Sequence, residues 1–303
     1  MQGSNSLQRH GSDRKAVEIG VVLPQGEIVC SASELRAYCA TTENLGYRHV
    51  VAYDHVLGTD PVGHPNWTGK YTVADPFHEP LVLFGFLAAI TSMELVTGVL
   101  VLPQRQTALV AKQASEVDRL SNGRLRLGVG IGWNRVEYDA LGRDFATRGA
   151  RIEEQVRLLR ELWTQGTVTF TGVSEKVIAA GLAPLPVQRP IPVWLGGGSP
   201  VAYRRIGQIA DGWFPRLQPG PELDDAIRTI TASARDCGRS EAVGMHGRTQ
   251  FTSAEQVAES ARRWHQAGAT HLSVNTLGLG LTTLADHLAV LTVAASALGI
   301  SDS

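Results

Sequence analysis

Asp54 and His55 stand side by side at the end of a short β-branched run, residues 48–53. An imidazole at a strand end can exchange a proton or donate a hydrogen bond near neutral pH, and an adjacent carboxylate can orient the ring or favour its charged form. Further along, Gly196-Gly197-Gly198-Ser199-Pro200 lies between a strand-like and a helix-like segment. Amides of a glycine loop opening a helix form an anion site, and proline suits the first helical turn, so this stretch is read as a phosphate site. Gly128-Val129-Gly130-Ile131-Gly132 lacks the final glycine of a dinucleotide fingerprint. Its glycines either admit a flat ligand to the backbone or serve the packing of the strand itself. Gly98, inside Val96-Thr97-Gly98-Val99-Leu100, marks a bulge, close strand packing or the underside of a ligand ring.

Other chemistries are unsupported. The chain has no H-E-x-x-H, C-x-x-C, Walker or G-x-S-x-G motif, and its three cysteines are scattered, so no metal site is expected. A net charge of -1 gives no bulk attraction for nucleic acid or an anionic membrane, and the longest apolar run, 81–90, is half a membrane span. The residues 1–15 are polar, without the apolar core of a signal peptide, and are expected to be a disordered tail. A cytoplasmic protein with reduced thiols is expected, binding a small molecule and pairing with a second copy of itself.

The elements that must hold these residues alternate. Strand-like runs at 17–23, 48–53, 94–102, 125–132, 192–195, 211–214, within 242–252 and 270–275 are each followed by a segment of helical character. Ser33 is read as the cap of the first helix. Ile152, Val156, Leu159 and Trp163 form an apolar stripe in a long helix. Residues 166–191, rich in glycine and proline, read as an excursion carrying a small hairpin. Continuous apolar strands in a repeated βα rhythm predict one α/β domain over 16–303, a TIM-like (β/α)8 barrel with insertions. In such a barrel chemistry sits at the C-terminal strand ends, where Asp54-His55 and the glycine stretches fall. His49, inside a strand, and His265 and His271, flanking a turn, are read as structural. The loop 54–75, with His64, Trp67 and Tyr71, and the excursion 166–191 are expected to line a substrate pocket.

The order of these motifs resembles the luciferase-like monooxygenase superfamily, in its coenzyme F420-dependent branch, over nearly all of residues 17–300. The resemblance is carried by Leu127-Gly-Val-Gly-Ile-Gly-Trp133, Glu137-Tyr138, Phe145-Ala-Thr-Arg148, Glu154, Leu162-Trp163, Pro190-Ile-Pro192, Gly196-Gly-Gly198, Asp211-Gly-Trp213, Tyr53-Asp54-His55 and Thr97-Gly98-Val99. It implies a cis peptide at Gly98–Val99 behind a deazaflavin ring, with His55 close to the hydride-carrying carbon as the catalytic residue. It further implies that Asp54, Gly98, Val99, Leu100, Val101, Ile131, Gly132, Trp133, Gly197, Gly198, Ser199 and Val201 line the cofactor. Two positions depart from the pattern. Trp133 stands where sugar-phosphate dehydrogenases of this branch carry a glutamate, and Ile131 where many flavin users carry an arginine. The expected activity is hydride transfer between F420 and a small organic substrate. The alternatives are an FMN-dependent monooxygenase acting with oxygen on an alkanesulfonate or aldehyde, and a flavin- or F420-binding protein without turnover.

Overall fold

In the computed structural model, which describes residues 16–301, strands and helices alternate along the whole body of the chain. β1 (Glu18–Val22) is followed by α1 (Ala32–Asn44), and β2 (His49–Ala52) by α2 (Pro80–Leu87). The third strand position is split into β3 (Glu94–Thr97) and β4 (Leu100–Val101), ahead of α3 (Thr107–Leu120). β5 (Leu125–Gly130) leads to α4 (Arg135–Ala140) and α5 (Arg148–Thr164). An antiparallel hairpin, β6 (Val168–Thr171) and β7 (Lys176–Ala180), precedes β8 (Val193–Gly197) and α6 (Pro200–Ile209). β9 (Gly212–Pro215), α7 (Pro221–Asp236), β10 (Gly244–Gln250), α8 (Ala254–Gln266), β11 (His271–Asn275) and α9 (Leu284–Leu298) follow. β1 pairs in parallel with both β2 and β11, while β3 and β4 both pair with β5, so the sheet closes into the expected barrel and leaves no open edge. The tail expected over residues 1–15 lies outside the described residues. Among those described, no helix is long and apolar enough to cross a membrane.

Most apolar burial lies between the strands and the surrounding helices. The α5 stripe Ile152, Val156, Leu159 and Trp163 is buried there, and Trp163 Nε1 donates to Ala111 O of α3 at 3.0 Å. Two sequence expectations need correction. The cap of α1 is Ser31, whose side chain accepts from Glu34 N while the Glu34 carboxylate takes Ser31 N–H, a capping box legible as Ser31-x-x-Glu34. The excursion 166–191 contributes nothing to the cavity described below. It connects a helix to the next strand, so its two ends lie at the N-terminal end of the barrel, while its hairpin runs back along the outside of α5, with Glu175 paired to Arg151. Buried carboxylates fasten it there: Glu154 accepts from Ser174 N and Glu175 N, and Asp118 from Val187 N and Gln188 N.

The barrel interior holds aromatic and polar side chains where branched aliphatic ones are usual. His49, His246, Arg126, Trp194 and Ser273 are all buried. Glycines on facing strands make the room: a Cβ on Gly20 would lie 2.2 Å from the His49 ring, and one on Gly212 2.3 Å from Trp194. Two of the hydrogen bonds here have a forced direction. Arg126 only donates, so His246 Nδ1 accepts from its Nη1 at 3.2 Å. His246 Nε2 then donates to Ser273 Oγ at 2.7 Å, and Ser273 Oγ also bonds His49 Nε2 at 2.8 Å. Arg126 is neutralised by Glu94 through Nε and Nη2 at 2.9 and 2.5 Å. Of the three histidines expected to be structural, His49, His265 and His271, the structure gives His49 this interior role and packs His271 beside it, with ring centroids 5.9 Å apart.

Burial pushes the imidazoles of His49 and His246 well below the usual histidine range, with neighbouring histidines and Arg126 adding to the effect, and pushes His271 down to about 3. A folded-state value below the unfolded one means that the native state binds fewer protons in acid. Stability is then complete above the unfolded value of 6.5 and falls as pH drops toward about 3. Each of the three rings contributes up to about 1.4 kcal/mol per pH unit. Urea midpoints should therefore fall steeply between about pH 6.5 and pH 4.5. A flat midpoint over that window would show that these rings charge without cost.

Candidate active site

At the C-terminal mouth of the barrel a cavity of about 730 Å³ opens over the ends of the strands. Its geometry begins at the end of β2. Successive residues of an extended chain point to opposite sides, so Asp54 and His55 diverge. Asp54 turns into the protein, where Oδ2 accepts from Val101 N at 2.8 Å and Oδ1 from Arg105 Nη2 at 2.8 Å. Arg105 continues to Glu79, whose carboxylate also caps α2 through Val82 N. Burial raises the Asp54 carboxyl above its ordinary value, and the Arg105 guanidinium and the Val101 N–H oppose that rise. This pair therefore fixes position more than it adds net stability.

Asp54 thus holds β4, and the break between β3 and β4 lies just before it, with Gly98 N donating to Ala52 O at 2.8 Å. The Gly98–Val99 peptide is cis, as the resemblance implied. The glycines around it serve this segment directly. A Cβ on Gly130 would lie 2.6 Å from Val99, one on Gly132 2.6 Å from Val101, and one on Gly196 3.1 Å from Val99. Of the two readings left open for the glycine strand, packing thus accounts for Gly130 and Gly132, and the backbone of both also lines the cavity.

His55 turns into the mouth. It meets Tyr71 and Phe77 with ring centroids at 4.9 Å in each case, and Trp133 at 5.6 Å. Trp67 tilts against Trp133 at 5.6 Å. Tyr71, expected from the 54–75 loop, lines the cavity, and Trp67 supports Trp133 from behind. The carboxylate facing His55 is Glu137 of α4, not Asp54: His55 Nδ1 lies 3.4 Å from Glu137 Oε2. Glu137 is fully buried, and its Oε1 accepts from Val56 N at 2.7 Å and Leu57 N at 3.1 Å. Burial opposes its ionisation, but His55 and these two N–H groups hold the carboxyl below its ordinary value. Asn134 caps α4 through Val136 N and Glu137 N, and Tyr138 anchors it by donating to Ile131 O at 2.6 Å.

Of the residues assigned to a cofactor, Asp54, Gly98, Val99, Val101, Ile131, Gly132, Trp133 and Gly197 line the cavity beside His55. Leu100 does not: it is fully buried in the core behind the strands. Gly198 and Ser199 lie at the rim, outside the lining, and Val201 is exposed on the first turn of α6. A Cβ on Gly197 would lie 2.6 Å from Ala202 Cβ, so a side chain there would press on α6 before it filled any anion's place. Sequence reading gave no site role to Glu137, which it has only as part of the resemblance, or to Arg216, which it has only as a strand-end residue, and missed Arg248, His246 and Ser273; all five line the cavity. Arg216 lies against Gly198, with its Cδ 3.2 Å from where a Cβ would stand, and has no ion pair among the described residues.

The family profile described as luciferase-like monooxygenase matches residues 8–288. An F420-dependent glucose-6-phosphate dehydrogenase from Amycolatopsis mediterranei is 32% identical over 195 residues, covering 62% of this chain and 55% of that protein. An FMNH(2)-dependent dimethylsulfone monooxygenase from Pseudomonas putida is 29% identical over 194 residues, covering 62% of this chain and 52% of that protein. The chain thus aligns with little more than half the length of either. An F420-dependent secondary alcohol dehydrogenase, solved with an F420-acetone adduct, superposes with a TM-score of 0.76 at 17% identity, covering 94% of this chain and 99% of that one. That likeness shows the fold.

The Asp54–Arg105 pair gives a direct test of the geometry. Asp54→Ala removes one of the two carboxylates paired with the Arg105 guanidinium and leaves Val101 N–H without its acceptor, and should cost about 2 kcal/mol or more in urea unfolding. Adding Arg105→Ala should recover part of that loss. Strictly additive losses would mean that the two side chains act independently.

Proposed function

The chain belongs to the luciferase-like monooxygenase family, and we propose that within it this protein is an F420-dependent oxidoreductase that moves a hydride between the deazaflavin and a small organic substrate. The observation that carries the reading is one of placement. Backbone of segment 98–99, Gly130, Gly132 and Gly196 lines a cavity that also contains His55, a titratable group at the end of a barrel strand. That lining fits a flat ring, because side chains are absent from the glycine positions and Val99 packs sideways against Gly130 and Gly196.

When bound, a deazaflavin supplies a two-electron hydride carrier that does not readily activate oxygen. The residues of this chain would do the rest. Segment 98–99 and Gly132 would back the ring. The amides of Gly197, Gly198, Ser199 and Val201 at the start of α6, with Arg216 beside them, would take the phosphate. Trp133, Tyr71 and Phe77 would exclude water around His55 and favour an apolar or flat substrate. A hydride moved to or from a carbon bearing oxygen requires a proton to move or a charge to be steadied, and the His55 imidazole, which can both donate and accept, can do either. Ile131, an apolar side chain in the lining, stands where many flavin users carry a phosphate-binding arginine, which favours F420 over FMN.

Fluorescence titration with F420 and with FMN tests the cofactor. F420 should bind more tightly, and tight binding of FMN alone, with oxygen consumed on addition of reduced FMN, would replace this reading by the monooxygenase one. Reduction of F420 followed across a panel of small alcohols and aldehydes tests the chemistry. His55→Ala should lower turnover by about 100-fold or more with far less effect on F420 affinity. Full turnover in that variant would remove His55 from the proton path.

A further inference from the structure

Glu137 is the one carboxylate in the cavity lining that faces His55, and its two oxygens meet different partners. Oε1 is committed to backbone: Val56 N–H and Leu57 N–H reach it at 2.7 and 3.1 Å, so the loop that follows His55 is tied to α4. Oε2 is left for side chains, with His55 Nδ1 and Gln104 Nε2 each 3.4 Å away. Those two contacts are long for hydrogen bonds. An ionised carboxylate only accepts. Nδ1 satisfies Oε2 only if it carries the proton. His55 Nε2, on the other edge of the ring, has no hydrogen-bond partner among the described residues, and the residue lines the cavity.

We propose that Glu137 is the positioning residue of this site, and that it holds neutral His55 as the Nδ1–H tautomer so that Nε2 is offered to the cavity as a proton acceptor. Its bearing on catalysis rests on the oxidoreductase reading above; the tautomer itself does not. The device is local in space and remote in sequence. α4 brings Glu137 to the loop after β2, and Asn134 and Tyr138 fix that short helix at both ends of its first turn. Trp133, the residue before the Asn134 cap, is placed by the same helix, so one short element sets both the orientation of His55 and the wall beside it.

Glu137→Gln makes a sharp distinction. The two backbone N–H groups demand an acceptor, so the amide oxygen of the new side chain must take the Oε1 place. Its NH2 then falls where Oε2 was and donates toward His55 Nδ1. Nδ1 must accept, and the imidazole must change to the Nε2–H tautomer. Gln104, whose Oε1 is buried without a partner, can turn its amide to accept from the same NH2.

Long-range proton–nitrogen correlation spectra of the ligand-free protein labelled with 15N-histidine, recorded at about pH 8, read the tautomer directly. The His55 signals are identified by their loss in His55→Ala. In the parent, Nδ1 should show the shift of a protonated ring nitrogen and Nε2 that of an unprotonated one. In Glu137→Gln the two shifts should exchange. An Nε2–H tautomer in the parent, or an Nδ1–H tautomer that survives in Glu137→Gln, overturns the proposal. If the variant fails to fold, the parent spectrum alone decides. Neither measurement uses F420, FMN or turnover, so failure of the cofactor reading is seen separately, in the titrations above.

Discussion

The carboxylate of Asp54 joins three pieces of the molecule that would otherwise move apart: the end of β2, strand β4 just past the Gly98–Val99 peptide, and the arginine that reaches on to the cap of α2. A buried charge is costly unless paired and hydrogen-bonded, so this carboxylate tolerates few other arrangements of its surroundings. Its two partners set where Val101 lies, and Val101 in turn packs over Gly132. The backbone floor of the cavity and the strand that delivers His55 are thus held in register by one side chain pointing away from the cavity.

A second carboxylate acts on the other wall. Glu137 fastens the loop after His55 to α4, and α4 also carries Trp133 into place. The mouth is therefore built from two opposed clamps, each a buried acid with backbone N–H donors, around the glycine-lined strand ends. Below it, the Arg126–His246–Ser273–His49 chain fills the barrel with hydrogen-bonded rings. The rigidity of the site comes from these polar contacts as well as from apolar packing.

Much of this was legible in the residues. Short apolar runs before amphipathic segments specify a parallel barrel, and the polarity of a barrel places Asp54-His55 and the glycine stretches at its mouth. Gly98 inside a β-branched run marked the break between β3 and β4. The partners across the fold were not legible. Glu137 is 81 residues from Val56, and nothing in their local pattern pairs them. The assignment of Asp54 as the companion of His55 failed for a reason that strand geometry supplies: adjacent residues face opposite ways. The excursion 166–191 lines no part of the cavity, because it joins a helix to a strand and its hairpin packs outside the barrel against α5. The interior histidines follow from glycines on neighbouring strands, a coincidence of register that the sequence does not display.

The central claim is that segment 98–99, next to the strand β4 that Asp54 holds, and His55, held by Glu137, are two sides of one ring site. A crystal structure of the protein with F420 bound tests this most directly. The deazaflavin ring should lie against the backbone of segment 98–99 with His55 beside it, and the phosphate should meet the start of α6 near Arg216. A ring seated away from segment 98–99, or a phosphate bound far from residues 197–201, would contradict the account.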